Sequence, residues 1–269
     1  MCGRSWHEVA RARVGAVAVD VANESEVVSA VISWAAAGRG GALFTPNMTI
    51  ARMCAEDQRL QEIFNSADIL VCDGMPLIWA GRLAGTKIPE RVTGSSLIWS
   101  ISEAAARSNL GIYLLGGEAG HADLASTQLT SRIPELEVTG THSPPFGFER
   151  VPGTIDHMIE LLRDAGPAVV FVGLGAPKQE QLIQNLKGNL PQMWFIACGA
   201  AIAMAAGARR RAPGWMQRMG LEWLHRLSLE PRRLAPRYLA DARYGLELIA
   251  WAVGARLLRV RDDARQGLR

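Results

Sequence analysis

Through the first three-quarters of the chain, short apolar runs alternate with stretches of helical periodicity. The apolar runs are Val14–Val19, Ala42–Thr45, Ile69–Cys72, Ile112–Leu115, Leu136–Thr139 (the weakest), Val169–Val172 and Met193–Cys198. Each has the length of a strand, and most lack the polar alternation of a half-solvated one, so they read as strands buried on both faces. Between them, Glu24–Ala37, Thr49–Cys54, Asp57–Ser66, Pro76–Leu83, Ser95–Ser108, His121–Arg132, Thr154–Asp164 and Lys178–Leu186 read as helices. His142 to Gly153, rich in Pro and Gly, reads as a loop. This alternation predicts an α/β fold: a mostly parallel sheet with helices on both faces.

In such sheets ligands bind beyond the carboxyl ends of the strands. Four predicted strand ends carry residues suited to a site: Thr45-Pro46-Asn47, Asp73-Gly74, Gly116-Gly117 and Gly173-Leu174-Gly175. A fifth, Gly199-Ala200, is apolar. The fullest is residues 168–181, where Val169–Val172 breaks through glycines and Pro177 stands as the first residue of a helix. Backbone N–H groups and the helix dipole then face the turn and favour an anion. Gln179 and Glu180, in the first helical turn, lie within reach of a nucleotide's sugar or base. The stretch is not the dinucleotide fingerprint G-x-G-x-x-G, because Lys178 stands where its third glycine belongs.

After Gly207 the alternation stops. Residues 207–269 carry 14 Arg, no Lys and 6 acidic residues, a balance of +8, against 15 basic and 20 acidic residues, a balance of −5, in residues 1–206. The division predicts an α/β domain over 1–206 and a basic helical appendage over 207–269. Pro213, Pro231 and Pro236 divide the appendage into short helices before a longer one, Tyr238 to Val260. On that helix Leu239, Leu246, Ile249, Ala250, Val253 and Leu257 share a face. Such a face packs on the domain or lies in a membrane interface, where arginines and Trp215 and Trp223 suit anionic lipid. Nucleic acid is disfavoured, since the arginines are mixed with Leu and Trp and no nucleic-acid signature occurs.

Composition narrows the setting. Cys2, Cys54, Cys72 and Cys198 show no C-x-x-C spacing, and the two in strands read as buried thiols, which favours a reducing compartment. The apolar run after the basic start, Arg4 to Arg13, is too short for a signal-peptide core. No segment reaches the ~20 apolar residues of a membrane span.

Taken in order, Thr45-Pro46-Asn47, Ala67-Asp68-Ile69-Leu70-Val71-Cys72-Asp73-Gly74-Met75-Pro76, Glu90-Arg91-Val92-Thr93-Gly94, Leu114-Leu115-Gly116-Gly117 and Val172-Gly173-Leu174-Gly175-Ala176-Pro177-Lys178-Gln179-Glu180 resemble the WecG/TagA/CpsF glycosyltransferases. The tail resembles them too, through Arg211-Ala212-Pro213-Gly214-Trp215, Gly220-Leu221-Glu222-Trp223-Leu224-His225-Arg226-Leu227 and Glu230-Pro231-Arg232-Arg233 to Arg237-Tyr238. The resemblance runs from about residue 14 to 245. It departs at His225, where an aromatic residue is usual, and at Pro236, which interrupts a helix.

The resemblance implies a Rossmann-like domain and inverting transfer of a sugar from a UDP-sugar to a saccharide on a polyprenyl diphosphate. Asp73 would be the base for the acceptor hydroxyl, with Thr45 and Asn47 orienting the acceptor or the base. Asp73 and Asn47 can also serve merely as helix caps, and Arg91 as a surface ion pair with Glu90 or Asp68. Arg91 would grip a phosphate or sugar carboxylate, and Gly116, Gly117, Gly173, Gly175, Gln179 and Glu180 would hold UDP. With no Asp-x-Asp pair present, no required metal and no cofactor are expected. Guanidinium groups of Arg226, Arg232, Arg233 and Arg237 would neutralise the departing diphosphate. The resemblance also places the tail as a lid and as the contact with an anionic membrane, on its cytoplasmic face. A second copy of the chain is another surface on which the tail's apolar positions can be buried. Two other readings compete: a nucleotide-binding regulatory or scaffolding protein without transferase activity, and an NAD-dependent oxidoreductase. Joint retention of Thr45, Asn47, Asp73 and Arg91 speaks against the first. The missing third glycine, and the lack of an acidic residue ending Met193–Cys198, speak against the second.

Overall fold

The computed structural model describes residues 6–209 and 212–266, with the backbone alone for Gln217, Arg218 and residues 260–266. Cys2, Arg210 and Arg211 therefore lie outside the described residues. The run Val14–Val19, expected as one strand, is two: β1 (Arg11–Val14) and β2 (Val17–Asp20) pair antiparallel in a hairpin apart from the main sheet. Gly15 is the reason, since its positive φ (60°) permits a two-residue turn that splits the apolar run. The buried Asp20 carboxylate fastens the hairpin, accepting from Arg11 (2.8 and 2.9 Å) and from the Leu70 N–H (2.8 Å).

The other apolar runs form one parallel sheet. After α1 (Glu24–Ala36) come β3 (Gly41–Phe44), α2 (Met48–Glu56), α3 (Gln58–Asn65), β4 (Ile69–Leu70), α4 (Met75–Leu83) and α5 (Gly94–Arg107). Then follow β5 (Ile112–Gly116), α6 (His121–Arg132), β6 (Val138–His142), α7 (Thr154–Ala165), β7 (Val169–Gly173), α8 (Lys178–Asn189), β8 (Trp194–Ala197) and α9 (Ala201–Ala205). The strand order is β4-β3-β8-β7-β5-β6, and every neighbouring pair is parallel. The edge strand β6 lies two residues later than its expected start and takes in His142, read from sequence as loop. All five of its residues are only partly buried, so no apolar run marks it. Pro177 is the cap residue before α8 rather than its first residue.

Successive strand residues serve opposite faces, as the pleat requires. Leu43, Ile69, Leu114, Phe171 and Ile196 join one core with residues of α1, α5, α6 and α9. Phe44, Leu70, Leu115, Val172 and Phe195 join the other with α2, α3, α4 and α8. Burial contributes about 1.5–3 kcal/mol for each such side chain, so these two layers dominate the fold's stability. Helix starts are specified locally: Asn23 and Glu26 form a reciprocal capping box on α1, and Thr93 caps α5 through the Ser96 N–H.

The appendage comprises α10 (Gly214–Arg218), α11 (Glu222–Leu229) and α12 (Pro231–Gln266). Against the expectation of a break, α12 runs continuously through Pro236. That proline removes one intrahelical donor, and packing against the domain offsets the loss. Leu234, Tyr244, Leu248 and Ala252 are buried, and the last three join the second core. Asp241 is buried on the same side, accepting from Thr49 and, at 3.0 Å, from Arg52 of α2. Sequence left this inward face unmarked, and left the apolar stripe of the helix to pack on the domain or to lie in a membrane interface. Leu239, Leu246, Ile249, Ala250, Val253 and Leu257 do share a side of α12, but it is the exposed one, with Leu239 at 75% and Leu246 at 71%. Among the described residues no helix is long and apolar enough to cross a membrane.

Candidate active site

Because every strand of the sheet runs the same way, all carboxyl ends open on one rim. Thr45 follows β3, Asp73 lies beyond β4, and Gly199 lies beyond β8. A pocket of about 100 Å³ opens there, lined by Thr45, Asn47, Asp73, Gln179, Cys198 to Ala201, Gly94 and Ser95, and closed by Glu222 and Arg226 of α11. Residues separated by more than a hundred positions thus meet at one place.

Thr45 is buried, and Asn47 caps α2, its side-chain oxygen accepting from the Ile50 N–H at 3.2 Å. Asn47 therefore serves as a helix cap while lining the pocket. Asp73 remains partly accessible, its side chain 32% exposed, and its Oδ1 lies 4.0 Å from Arg91 Nη1. The same Arg91 nitrogen donates to Glu222 Oε2 at 2.9 Å. Glu90 accepts from the Glu24 N–H, and Asp68 from the Ala42 N–H and Lys187. Arg226 approaches the other oxygen of Glu222 at 4.0 Å. Asp73, Glu222 and Arg226 thus share one wall, and Arg91 stands beside it, against both carboxylates.

The glycines set the strand-end loops beside the pocket by close backbone approach. A Cβ on Gly116 would lie 2.5 Å from the Gly173 carbonyl oxygen, and one on Gly173 would lie 2.9 Å from that of Gly199. The Gly117 N–H donates to the Gly173 carbonyl at 2.9 Å. Gly175 has a positive φ of 79°, which a side chain would strain. Gly116, Gly117, Gly173 and Gly175 lie beside the pocket rather than in its wall.

Gln179 ties two of these loops together. Its side-chain oxygen accepts from the Gly175 N–H (3.2 Å) and the Gly199 N–H (3.1 Å), bridging two strand-end loops. Its amide nitrogen donates to Glu180 Oε1 at 2.8 Å. Glu180 is 1% exposed, lies behind the pocket and leaves Oε2 without a hydrogen-bond partner. Burial pushes its carboxyl pKa up to about 7, with the Gln179 hydrogen bond acting in the opposite direction. The geometry brings Gln179, and not Glu180, to the pocket.

Of the appendage arginines, Arg226 lines the pocket. Arg237 donates to Thr49 Oγ1 at 2.8 Å, two residues beyond Asn47. Arg232 and Arg233 are exposed on the first turn of α12, with Arg233 paired to Glu230. Trp215 and Trp223 are both about half exposed, and Trp223 meets Tyr238 edge to face. Sequence reasoning gave no role to Glu222, or to the start of α5. The latter had a readable signal, since Gly94 directly follows a capping threonine, Thr93: a Cβ there would lie 2.8 Å from Cys198 Cα, so only glycine lets this N-terminus reach the pocket. Burial pushes the Cys54, Cys72 and Cys198 thiols up to about 12, so they stay protonated. Among the described residues no group of three His, Cys, Asp or Glu side chains is placed to hold a metal ion.

Comparison with known proteins adds to this geometry. The model of the Glycosyl transferase WecG/TagA/CpsF family matches residues 12–257. An N-acetylglucosaminyldiphosphoundecaprenol N-acetyl-beta-D-mannosaminyltransferase of Bacillus subtilis (strain 168) is 27% identical over 210 residues, 78% of this chain and 79% of that protein. A protein of the same description from Bacillus spizizenii is 26% identical over 196 residues, 72% of this chain and 74% of its own. One from Staphylococcus aureus (strain MRSA252) is 25% identical over 192 residues, 71% and 73% respectively.

Proposed function

The chain belongs to the WecG/TagA/CpsF family of glycosyl transferases, and from that premise we propose that it moves a sugar from a UDP-sugar to a saccharide on a polyprenyl diphosphate, with inversion. The observation that carries this reading is the meeting of Thr45, Asn47, Asp73 and Gln179, from three separate βα connections, in one pocket lined by Arg226, with Arg91 beside it against Asp73. The relatives' descriptions support the acceptor class, a sugar on undecaprenyl diphosphate.

In this reading Asp73 takes the proton of the acceptor hydroxyl as its oxygen attacks the anomeric carbon. The bond from that carbon to the diphosphate oxygen breaks on the opposite face, and its electron pair leaves with UDP. Thr45 and Asn47 orient the attacking hydroxyl. Negative charge grows on the departing diphosphate, which Arg91, Arg226 and the N-terminus of α5 oppose without a metal ion. Gln179 holds the Gly175 and Gly199 loops at the spacing the nucleotide needs. The pocket, at about 100 Å³ and open on one side, is below the ~300–1,000 Å³ of ligand sites, so α11 opens to admit the donor and closes again over it, returning Glu222 to Arg91. The exposed apolar stripe of α12 and the half-exposed Trp215 and Trp223 suit a helix lying in the interface of an anionic membrane, at its cytoplasmic face. Lid closure and arrival at the lipid acceptor would then coincide.

The test is transfer from a panel of UDP-sugars, UDP-N-acetylmannosamine included, to a short-chain lipid diphosphate saccharide, with mass and anomeric configuration of the product read out. Asp73→Ala should lower turnover by at least about 100-fold, the scale of general base catalysis, and leave UDP affinity within a few-fold. Absence of transfer from every UDP-sugar overturns the reading. A D73A variant within ten-fold of the parent removes Asp73 as the base.

A further inference from the structure

The appendage brings a carboxylate to the pocket as well as arginines. Glu222 opens α11, and its side chain is only 11% exposed although it belongs to a surface helix. Burying a carboxylate at a seam costs free energy unless a cation is close, and here Arg91 supplies the close contact. Two further observations fix the geometry. Gly220, just before α11, packs so tightly on Met75 that a Cβ would lie 2.4 Å from Met75 Cγ, which seats α11 beside the Asp73-Gly74 turn. And the Arg91 nitrogen held by Glu222 is the one that lies 4.0 Å from Asp73. An arginine side chain has four torsions to fix, and Glu222 restrains its far end. A guanidinium carries five N–H donors, so it can serve a carboxylate and a phosphate together.

We propose that Glu222 is a positioning residue of the transfer reaction: from the appendage, it holds the Arg91 guanidinium beside Asp73, in place to receive the donor's diphosphate. The inference rests on the donor-binding reading of the site given above. It makes the docked appendage part of the donor site through a carboxylate that itself repels phosphate. Its value there lies in orientation, since a pre-set guanidinium loses less conformational freedom when the donor binds.

The experiment is a double-mutant cycle on the full chain, with Glu222→Gln, Arg91→Ala and both together, on a soluble acceptor in the absence of vesicles. Melting temperatures within about 2–3 °C of the parent would show that the variants fold. Donor KM should rise about ten-fold in E222Q, the scale of one charge-assisted hydrogen bond, with kcat reduced less. In the R91A background E222Q should add less than two-fold, because the residue it positions is gone. Equal losses in both backgrounds would identify Glu222 as a tether of α11 and overturn the proposal, as would a parental KM in E222Q. If the unmodified chain transfers from no UDP-sugar, the functional reading fails and the proposal falls with it. If that chain transfers and the cycle is additive, the positioning role alone fails.

Discussion

Glu180 offers a test that needs no substrate. It sits in the core behind Gln179 with one oxygen unpartnered, and burial lifts its pKa from 4.5 to about 7. A carboxyl whose folded pKa is raised favours folding most below its unfolded value, and that contribution is lost as pH climbs toward the folded value. The window therefore runs from about pH 4.5 to about pH 7, above which the cost is level. The shift is about 2.5 units at 1.36 kcal/mol each, or about 3 kcal/mol in all, of which about 2 kcal/mol falls between pH 5.5 and pH 8. Glu180→Gln keeps an oxygen that can accept from Gln179 and cannot ionise in this range. Its absolute stability carries a constant offset from its amide hydrogens, so the readout is the change with pH. Urea unfolding of both chains at pH 5.5 and pH 8 should show the parent losing about 2 kcal/mol relative to E180Q. A parent-to-variant gap that is the same at both pH values would refute the reasoning, meaning that the carboxyl is ionised, or protonated, at both.

Other perturbations probe other parts of the argument. Leu246→Asp with Leu257→Asp, both on the exposed side of α12, should leave urea stability within about 0.5 kcal/mol and cut co-sedimentation with anionic vesicles more than about ten-fold. Unchanged vesicle binding would remove this stripe as the membrane face, and a change in sedimentation equilibrium mass would instead make it a contact between copies. Gly94→Ala sets a methyl 2.8 Å from Cys198 Cα, backbone against backbone, and should cost about 1–3 kcal/mol in urea unfolding. It should also weaken UDP binding, measured by calorimetry, because the start of α5 must retreat from the pocket. Parental values on both measurements would mean that the N-terminus of α5 is not held at the rim.

What sequence shows and what it hides divide here on physical grounds. Strands buried on both faces leave an apolar run that needs no partner to be seen, so β3, β4, β5, β7 and β8 were legible from Ala42, Ile69, Ile112, Val169 and Met193 onward. Because parallel strands must end on a common rim, Thr45, Asp73 and Gly173 could be placed together before any contact was known. The edge strand β6 lacked such a run, since Thr139-Gly140-Thr141-His142 is half solvated. The hairpin was hidden by Gly15, one residue whose effect depends on its φ rather than its hydropathy. The appendage was hardest to read. α12 is apolar on two opposite sides, and a periodicity argument favours the broader stripe, which here faces outward; the inward side is specified by Tyr244, Leu248, Ala252 and the polar Asp241 only after α2 and α4 are in place. Glu222 meets Arg91 across 131 positions, a pairing that neither local spacing nor helix periodicity can reveal. The chemistry that sequence made visible is thus what secondary structure alone positions, and the part it concealed depends on docking the appendage. That is why the contribution of Glu222 has to be sought in the coupling between Glu222 and Arg91, and not in either side chain alone.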